Sequence, residues 1–143
     1  MRESLILTDT DTTTGFVSQD SQKIDQAKKR PPYKHYIRAV NSLKTLKEFT
    51  RVPNLHKNRV RRAKKSSFII KSNSFRVIKG TKHNLLLDRL KWVYSSSANL
   101  SGEAFDRGYA ESVADIVVFE PDIRASNPSK IYRLNGRNIK KVR

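Results

Sequence analysis

Short apolar runs, which are typical of buried strands, alternate along this sequence with stretches that carry helix-capping residues and a helical spacing of apolar positions. Residues 68–78 and 131–142 each contain two strand-like runs joined by a short turn, so hairpins interrupt this alternation. The pattern predicts an α/β fold, with a twisted mixed sheet and helices packed on it, rather than a strictly parallel doubly wound sheet. Strands are expected at 5–8, 36–40, 68–70, 75–78, 91–94, 116–119, 131–134 and 139–142, and helices from Asp20 or Ser21 to Ala27, from Asn41 or Ser42 to Phe49, from Pro53 to Lys65, from Thr81 to Leu90 and from Asp106 to Val113.

The stretch from Tyr94 to Gly102 concentrates small polar side chains directly after an apolar run. Val93 and Tyr94 are expected to end a strand, the serines and Asn99 follow, and Gly102 permits a tight turn. Ligands of α/β proteins bind at the carboxyl ends of strands, so this stretch is a candidate ligand-binding loop. Runs of Ser and Asn also form ordinary turns, and composition alone leaves both interpretations open.

The net charge of +17, from 30 Lys and Arg against 13 Asp and Glu, favours nucleic acid, nucleotide phosphates or another anionic partner. A chain of 143 residues is expected to form one domain, 1–143. The absence of cysteine excludes disulfides, thiolate catalysis and cysteine-ligated zinc. His35, His56 and His83 lack metal-ligand spacing, so they are expected at the surface or in packing and no metal site is expected. No signal peptide or apolar span is found, which predicts a cytoplasmic protein without a membrane partner.

Asp9 and Asp11 lie in an Asp-Thr-Asp-Thr sequence directly after the first apolar run. In haloacid-dehalogenase-type phosphatases this pattern supplies a nucleophilic carboxylate and a second carboxylate that transfers a proton. No later acidic pair completes the magnesium site of that family, and a solvated acidic turn explains the same residues. A phosphatase that uses Asp9 and Asp11 is therefore the third of three functional hypotheses.

Two groups of cations are candidate anion-binding sites, although the first would also suit the dipole at a helix C-terminus and the second an ordinary solvated face. Lys28, Arg30 and Lys34 flank a pair of prolines, which stiffen the backbone and hold Arg30 where it can clamp a phosphate or carboxylate. The second group lies on the helix predicted after Pro53, and such a cluster is suited to the phosphate backbone of RNA. No aromatic residues are interleaved with it, so base stacking is not expected. The candidate RNA contacts are Arg59, Arg61, Arg62, Lys64 and Lys65.

Four stretches together resemble the Sua5/YciO/YrdC family, the threonylcarbamoyl-adenylate synthases. The residues from Ser96 to Glu103 are similar to the family's T-S-A-N-x-S-G-E, which is the most specific of the four motifs. Lys28-x-Arg30-Pro31 resembles K-x-R-P, residues 9–16 resemble P-T-D-T-V-Y-G-L, and residues 128–131 resemble the start of P-S-T-I-V-D. The four occur in the family's order and span nearly the whole chain. The resemblance implies a YrdC-like fold, in a small and trimmed version, around a large positively charged cavity.

The resemblance also implies a reaction. Members of the family convert L-threonine, bicarbonate and ATP, which acts with Mg²⁺, into threonylcarbamoyl-AMP and pyrophosphate, and a threonylcarbamoyl transferase complex then modifies tRNA. The domain is also described as binding double-stranded RNA. Carried over by position, the catalytic residues are Lys28 and Arg30, the threonine contacts are Thr10, Thr12, Lys71, Ser97 and Ser129, and the nucleotide contacts are Arg30, Lys34, Ser67, Asn99 and Arg143. Arg76 resembles an arginine of a family strand, V-R-V-P.

The sequence departs from the family pattern at four places. Asp9 replaces a proline, Thr14 a tyrosine and Lys130 a threonine, and residues 63–66 replace a P-G-P turn. Two hypotheses from different classes therefore stand ahead of the phosphatase. The first is a threonylcarbamoyl-AMP synthase, and the second is a non-catalytic protein of the same fold that binds nucleotide or double-stranded RNA.

Overall fold

The computed structural model describes residues 2–32, 34–118 and 129–143. Strands are found at Ile6–Asp9 (β1), Thr14–Ser18 (β2), Ile37–Val40 (β3), Ser66–Ile70 (β4), Asn73–Val77 (β5), Trp92–Ser97 (β6), Ile116–Val117 (β7), Lys130–Leu134 (β8) and Ile139–Lys141 (β9). Helices are found at Ser21–Lys28 (α1), Leu43–Leu46 (α2), Lys57–Arg62 (α3), His83–Leu90 (α4) and Arg107–Val113 (α5), with a short 3₁₀ helix at Asn54–His56. The predicted strand end at Phe119 and the Pro128 of the last motif lie outside the described residues.

The strands form one mixed sheet in the order β7-β1-β2-β6-β3-β5-β4-β8-β9. The pairs β1–β7, β3–β5 and β4–β8 are parallel, and the other neighbours are antiparallel. The predicted α/β fold with a mixed sheet is therefore confirmed. The expected hairpins β4–β5 and β8–β9 are both present. Lys71 and Ser72 turn the first with positive φ angles, and the Asn135 side chain accepts backbone N–H bonds from Arg137 and Asn138 in the second.

Apolar side chains pack on both faces of the sheet. On one face, Leu87 and Leu90 of α4 cover Ile6, Val17 and Val93. On the other face, α1 and α5 pack over β1 and β2, whereas α2 and α3 pack over β3, β5, β4 and β8. The helix α4 covers only part of its face. The remainder of that face forms the floor of the cavity described below.

One central strand was not predicted, and another is longer than the sequence predicts. No strand was expected between β1 and α1, and Thr14 and Gly15 were expected in a polar loop, but Thr14–Ser18 form β2. The strand β6 continues through Ser97, although a loop was expected after Tyr94. Serine is a poor strand former, but the segment is paired on both sides, with β2 across residues 94–97 and with β3 across residues 92–95. These ladders satisfy the backbone donors and acceptors and override the local preference. As a result, the serines alternate between the two faces of the sheet.

The sequence predicts three helix caps, at Asp20 or Ser21, at Asn41 or Ser42 and at Thr81, and two of them are present. Asp20 caps α1 by accepting from the backbone N–H of Gln22, and Ser42 caps α2 by accepting from Thr45. The predicted Thr81 cap is wrong, because Asn84 instead accepts from the backbone N–H of Thr81 and α4 begins at His83. The second helix ends at Leu46 rather than Phe49, and Pro53 precedes a 3₁₀ turn rather than lying inside a helix.

Candidate functional site

A cavity of about 390 Å³ opens on the face of the sheet that carries α4. Its floor is formed by alternate residues of β6, β3 and β5, and its walls by the loop after β1, the segment after α1, and the start and end of the β8–β9 hairpin. No carboxylate belongs to the described part of its lining. The polar lining residues are Thr10, Thr12, Thr13, Arg30, His35, Tyr36, Arg76, Ser95, Ser96, Ser97, Ser129 and Arg143.

The loop between β1 and β2 is held rigidly against β6. The Thr10 hydroxyl donates to the carbonyl oxygen of Thr13 at 2.7 Å and accepts from the backbone N–H groups of Thr12 and Thr13 at 3.2 Å. Gly15 lies where a Cβ atom would come within 2.9 Å of the Ser96 carbonyl oxygen and 3.2 Å of the Thr10 methyl carbon. The absence of a side chain at Gly15 therefore lets this threonine-rich loop approach the serines of β6.

Arg76 connects two walls of the cavity with each other and with β4 beneath them. The side chain is buried, and its guanidinium donates to the Asp11 carboxylate at 3.0 Å and to the Thr12 hydroxyl at 3.1 Å. It also donates to the hydroxyls of Ser67 at 3.0 Å and Ser129 at 2.9 Å. These bonds tie the first loop to β4 and β8. All four of these hydrogen bonds from Arg76 go to protein acceptors.

Arg143 lies at the opposite wall and remains exposed. Its Nε and Nη2 donate to the carbonyl oxygen of Ser129 at 3.1 and 2.9 Å, which orients the guanidinium across the cavity mouth. Arg30 lies on another side with its guanidinium 4.8 Å above the Tyr36 ring. The Tyr36 hydroxyl donates to buried Asp25, and burial together with that carboxylate raises the pKa of Tyr36. Two oriented arginines thus face a cavity lined by hydroxyls.

Lys28 holds the loop after β6 in place. Its buried ammonium donates to the carbonyl oxygens of Ser97 and Asn99, both at 2.8 Å. The Asn99 amide in turn donates to the carbonyl oxygens of Leu100 and Glu103. Burial, and then the nearby charge of Arg30, lower the pKa of Lys28 to about 8. The carbonyl cage fixes Lys28 and Asn99 beside the cavity, and neither belongs to its described lining.

The structure brings together six of the site residues that the sequence singles out: Thr10, Thr12, Arg30, Ser97, Ser129 and Arg143. Ser67 is fully buried beneath them, where it contacts Arg76 and Ser129. Lys34 lines a neighbouring pocket instead, and Lys71 is exposed in the β4–β5 turn. Arg76 was noted in the sequence without a role. A single charge within the apolar run from Phe75 to Ile78 is the signal that marks it, because buried charges require partners.

The remaining candidates lie away from the cavity lining. Asp9 accepts a hydrogen bond from the Thr14 hydroxyl at 2.6 Å and Asp11 is paired with Arg76, so neither carboxylate lines the described cavity. The candidate RNA contacts on and after α3 are exposed and outside this lining. His56 is buried with Nε2 3.1 Å from the Asn135 carbonyl oxygen. His83 is buried, neither of its ring nitrogens has a hydrogen-bond partner in the part of the chain that the structure describes, and burial lowers its pKa to about 4.

A nine-stranded mixed sheet beside a cationic, hydroxyl-lined cavity defines a YrdC-like fold, and comparison with solved structures supports this class. The chain is similar to a substituted form of Sua5 from P. abyssi, with a TM-score of 0.79 and 16% identity over 98% of this chain and 52% of that chain. It is similar to YciO from E. coli, with a TM-score of 0.79 and 17% identity over 99% of this chain and 82% of that one. It is also similar to P. abyssi Sua5 complexed with L-threonine, with a TM-score of 0.76 and 16% identity over 98% and 50% of the two chains.

These likenesses establish the fold, and the chain spans about half the length of the Sua5 chains that it matches. No protein-family model matches the sequence, and no curated protein matches it. Within residues 2–32, 34–118 and 129–143, no helix is long and apolar enough to cross a membrane.

Proposed function

We propose that the chain is a cytoplasmic threonylcarbamoyl-AMP synthase that acts in tRNA modification. The observation that carries the proposal is the cavity itself, where Arg30 and Arg143 face threonine and serine hydroxyls and the described lining contains no carboxylate. Such a lining suits anionic substrates that carry hydroxyl and carboxylate groups, because guanidinium groups bind phosphates and carboxylates with paired hydrogen bonds. P. abyssi Sua5 has been solved in complex with L-threonine, which supports threonine as a ligand of this cavity.

The proposed chemistry needs positioning and charge neutralisation rather than a covalent nucleophile. The threonine amine forms a bond to the carbon of bicarbonate, and water leaves to give a carbamate. A carbamate oxygen then attacks the α-phosphorus of ATP, and the bond to the β-phosphate breaks to release pyrophosphate. Arg30 and Arg143 would neutralise the phosphates, and Ser97, Ser129 and Thr12 would contact threonine. Lys28 lies beside the cavity, and the positive charge of its ammonium would help to neutralise the substrates.

Mg²⁺ is proposed to accompany ATP. The described cavity lining contains no carboxylate, and the described residues hold no group of three or more His, Cys, Asp or Glu side chains suited to a metal ion. We therefore assign the ion to phosphate oxygens of the nucleotide, where it would offset negative charge. No protein ligand is assigned to it.

The proposal is tested by measuring the release of pyrophosphate from ATP in the presence of Mg²⁺, with L-threonine and bicarbonate both present and with each omitted in turn. Release should require both, and Arg30→Gln and Arg143→Gln should each lower it at least about tenfold, since each removes a charge-assisted hydrogen bond. Arg61→Gln is the matched control, because Arg61 is an exposed arginine outside the cavity lining. Release that ignores threonine, or that Arg61→Gln lowers equally, would contradict the proposal.

A second candidate is a non-catalytic protein that binds double-stranded RNA and leaves modification to partners such as a transferase complex. The exposed cations that follow one another from Arg59 to Lys64 favour it, as do the departures from the family motifs. Double-stranded RNA affinity should then fall steeply with salt. Replacing Arg59, Arg62 and Lys64 by Gln should flatten that dependence, whereas Arg143→Gln should not. A salt-insensitive affinity would exclude this role for the cluster.

A further inference from the structure

A second pocket, of about 240 Å³, opens on the opposite face of the sheet from the cavity. Arg38, Phe75 and Tyr94 form its base, and each is a direct neighbour in sequence of a residue that lines the cavity: Ile37, Arg76 and Ser95. Successive side chains of a strand point to opposite faces, so the two pockets lie on the two sides of the sheet. Among the described residues they share His35 and Tyr36, which directly precede β3 and line both.

Arg38 is the central group of this pocket, and aromatic rings fix its position. Its guanidinium carbon lies 4.3 Å from the ring centre of Phe49, 5.0 Å from Trp92 and 4.9 Å from Tyr94. One Nη donates to the Tyr94 hydroxyl at 2.6 Å. Cation–π contacts of this kind hold an arginine without consuming its hydrogen-bond donors.

The donors of Arg38 are largely unused. Among the described residues the guanidinium makes one hydrogen bond and no ion pair, and Nε is buried without a partner. A guanidinium presents five N–H donors, and a buried donor without an acceptor is destabilising. Arg76, on the other face, has four protein acceptors. Arg38 is therefore a preorganised cation whose partner is not supplied by the described chain.

The surroundings define the chemistry of that partner. Lys34 and His35 lie at the same pocket, Ser74 and Asn73 add neutral donors, and no carboxylate belongs to the described lining. Two formal positive charges without a counter-charge favour a dianion over a monoanion. The volume is below the roughly 300–1,000 Å³ of sites for drug-sized molecules, so the ligand is small.

We propose that this pocket is a second anion site, distinct from the cavity, that binds the phosphate group of a small phosphomonoester between Arg38 and Lys34. The aromatic walls and the polar side chains of β5 would contact the organic part. The site stands whether or not the cavity supports synthase activity, because it uses Arg38 and Lys34 rather than the residues that line the cavity.

Trp92 is the sole tryptophan of the sequence and lies against Arg38, so its fluorescence reports on this pocket. Inorganic phosphate and glycerol 3-phosphate are titrated against the full chain at constant ionic strength, with potassium chloride and acetate as controls. Both phosphates should change Trp92 emission saturably, and glycerol 3-phosphate should bind at least as tightly. Arg38→Gln should raise Kd about tenfold or more, because it removes a charged donor.

Two further variants test the same pocket independently of Arg38. Lys34→Gln changes an exposed side chain, so it should fold normally and raise Kd several-fold even if Arg38→Gln does not fold. Arg143→Gln removes a cation of the cavity and should leave the Trp92 titration unchanged. Four results would each overturn the proposal. Two concern the fluorescence response: no change of Trp92 emission in the wild type, or loss of the change in Arg143→Gln. The other two concern affinity: wild-type affinity in both Arg38→Gln and Lys34→Gln, or tighter binding of acetate than of phosphate.

Discussion

Replacing Arg76 by methionine should destabilise the protein strongly. The substitution removes four hydrogen bonds, and it leaves the Asp11 carboxylate without its cation. The exposed fractions of the two side chains are 8% and 7%, so water cannot replace the lost partner. Breaking one side of a buried ion pair costs about 3–5 kcal/mol. That is a large part of the roughly 5–15 kcal/mol that stabilises an average domain.

Urea denaturation followed by circular dichroism measures this effect. Arg62→Met is the matched control, because Arg62 is exposed and surface changes usually stay within about 0.5 kcal/mol. Arg76→Lys should lie between the wild type and Arg76→Met, since an ammonium retains the charge but lacks the planar fork. Adding Asp11→Asn to Arg76→Met should recover part of the loss. A loss below about 1 kcal/mol in Arg76→Met would refute the argument that this arginine holds the first loop, β4 and the start of the β8–β9 hairpin together.

Three further predictions follow from single positions. Gly15→Ala should lower the free energy of unfolding by about 1–3 kcal/mol in the same urea assay, because the new Cβ would meet the Ser96 carbonyl oxygen at 2.9 Å. Gly136→Ala is the control and should have little effect, because a Cβ there would meet no described atom within 4 Å. Equal effects of the two substitutions would contradict the close approach at Gly15. Lys28, whose folded pKa is about 8 against an ordinary 10.5, should make unfolding free energy rise between those pH values, because the unfolded chain then binds the additional proton. Lys28→Met should abolish this rise, and NMR titration of the Lys28 amine should give a midpoint near pH 8. His83 has a folded pKa of about 4 against an ordinary 6.5, so the free energy of unfolding should fall as the pH drops from 6.5 to 4. His83→Leu should remove this slope and stabilise the protein at neutral pH, because it removes two ring nitrogens that have no partner among the described residues. An unchanged slope in His83→Leu would contradict this prediction.

The periodicity and capping signals predicted most elements because they depend on local chemistry. The strands around Leu7 and Phe68 and the helix capped by Asp20 were all found at or within two residues of their expected positions. The two hairpins that implied a mixed sheet were found as well. These features need only neighbours in sequence, so one chain suffices to identify them.

The central strands β2 and β6 were harder to predict because their pairing partners decide them. Gly15 and the serines from 95 to 97 have low strand preference, and only the neighbouring ladders make them strands. This error also affected the interpretation of the site. Serines expected in a loop instead belong to a strand of the sheet, and Ser95 and Ser97 therefore lie on the same face and line the cavity.

Several residues that the motifs singled out lie in the cavity lining, and the roles assigned to them stay predictions. Arg30, Ser97, Ser129 and Arg143 were singled out from the sequence and lie in its lining. Long-range contacts were not accessible to the same reasoning. The buried roles of Arg76 and His83 depend on residues more than 50 positions away in the chain, which no local pattern shows.

Detection of threonylcarbamoyl-AMP tests the proposed synthase activity. The full chain is incubated with ATP, Mg²⁺, L-threonine and carbon-13 bicarbonate, and the product is sought by mass spectrometry. We expect a product that carries one labelled carbon and that forms with Arg61→Gln as with the wild type. Its amount should fall at least about tenfold with Arg30→Gln. Absence of labelled product from a protein that still binds ATP would contradict the synthase and favour the binding protein of the same fold.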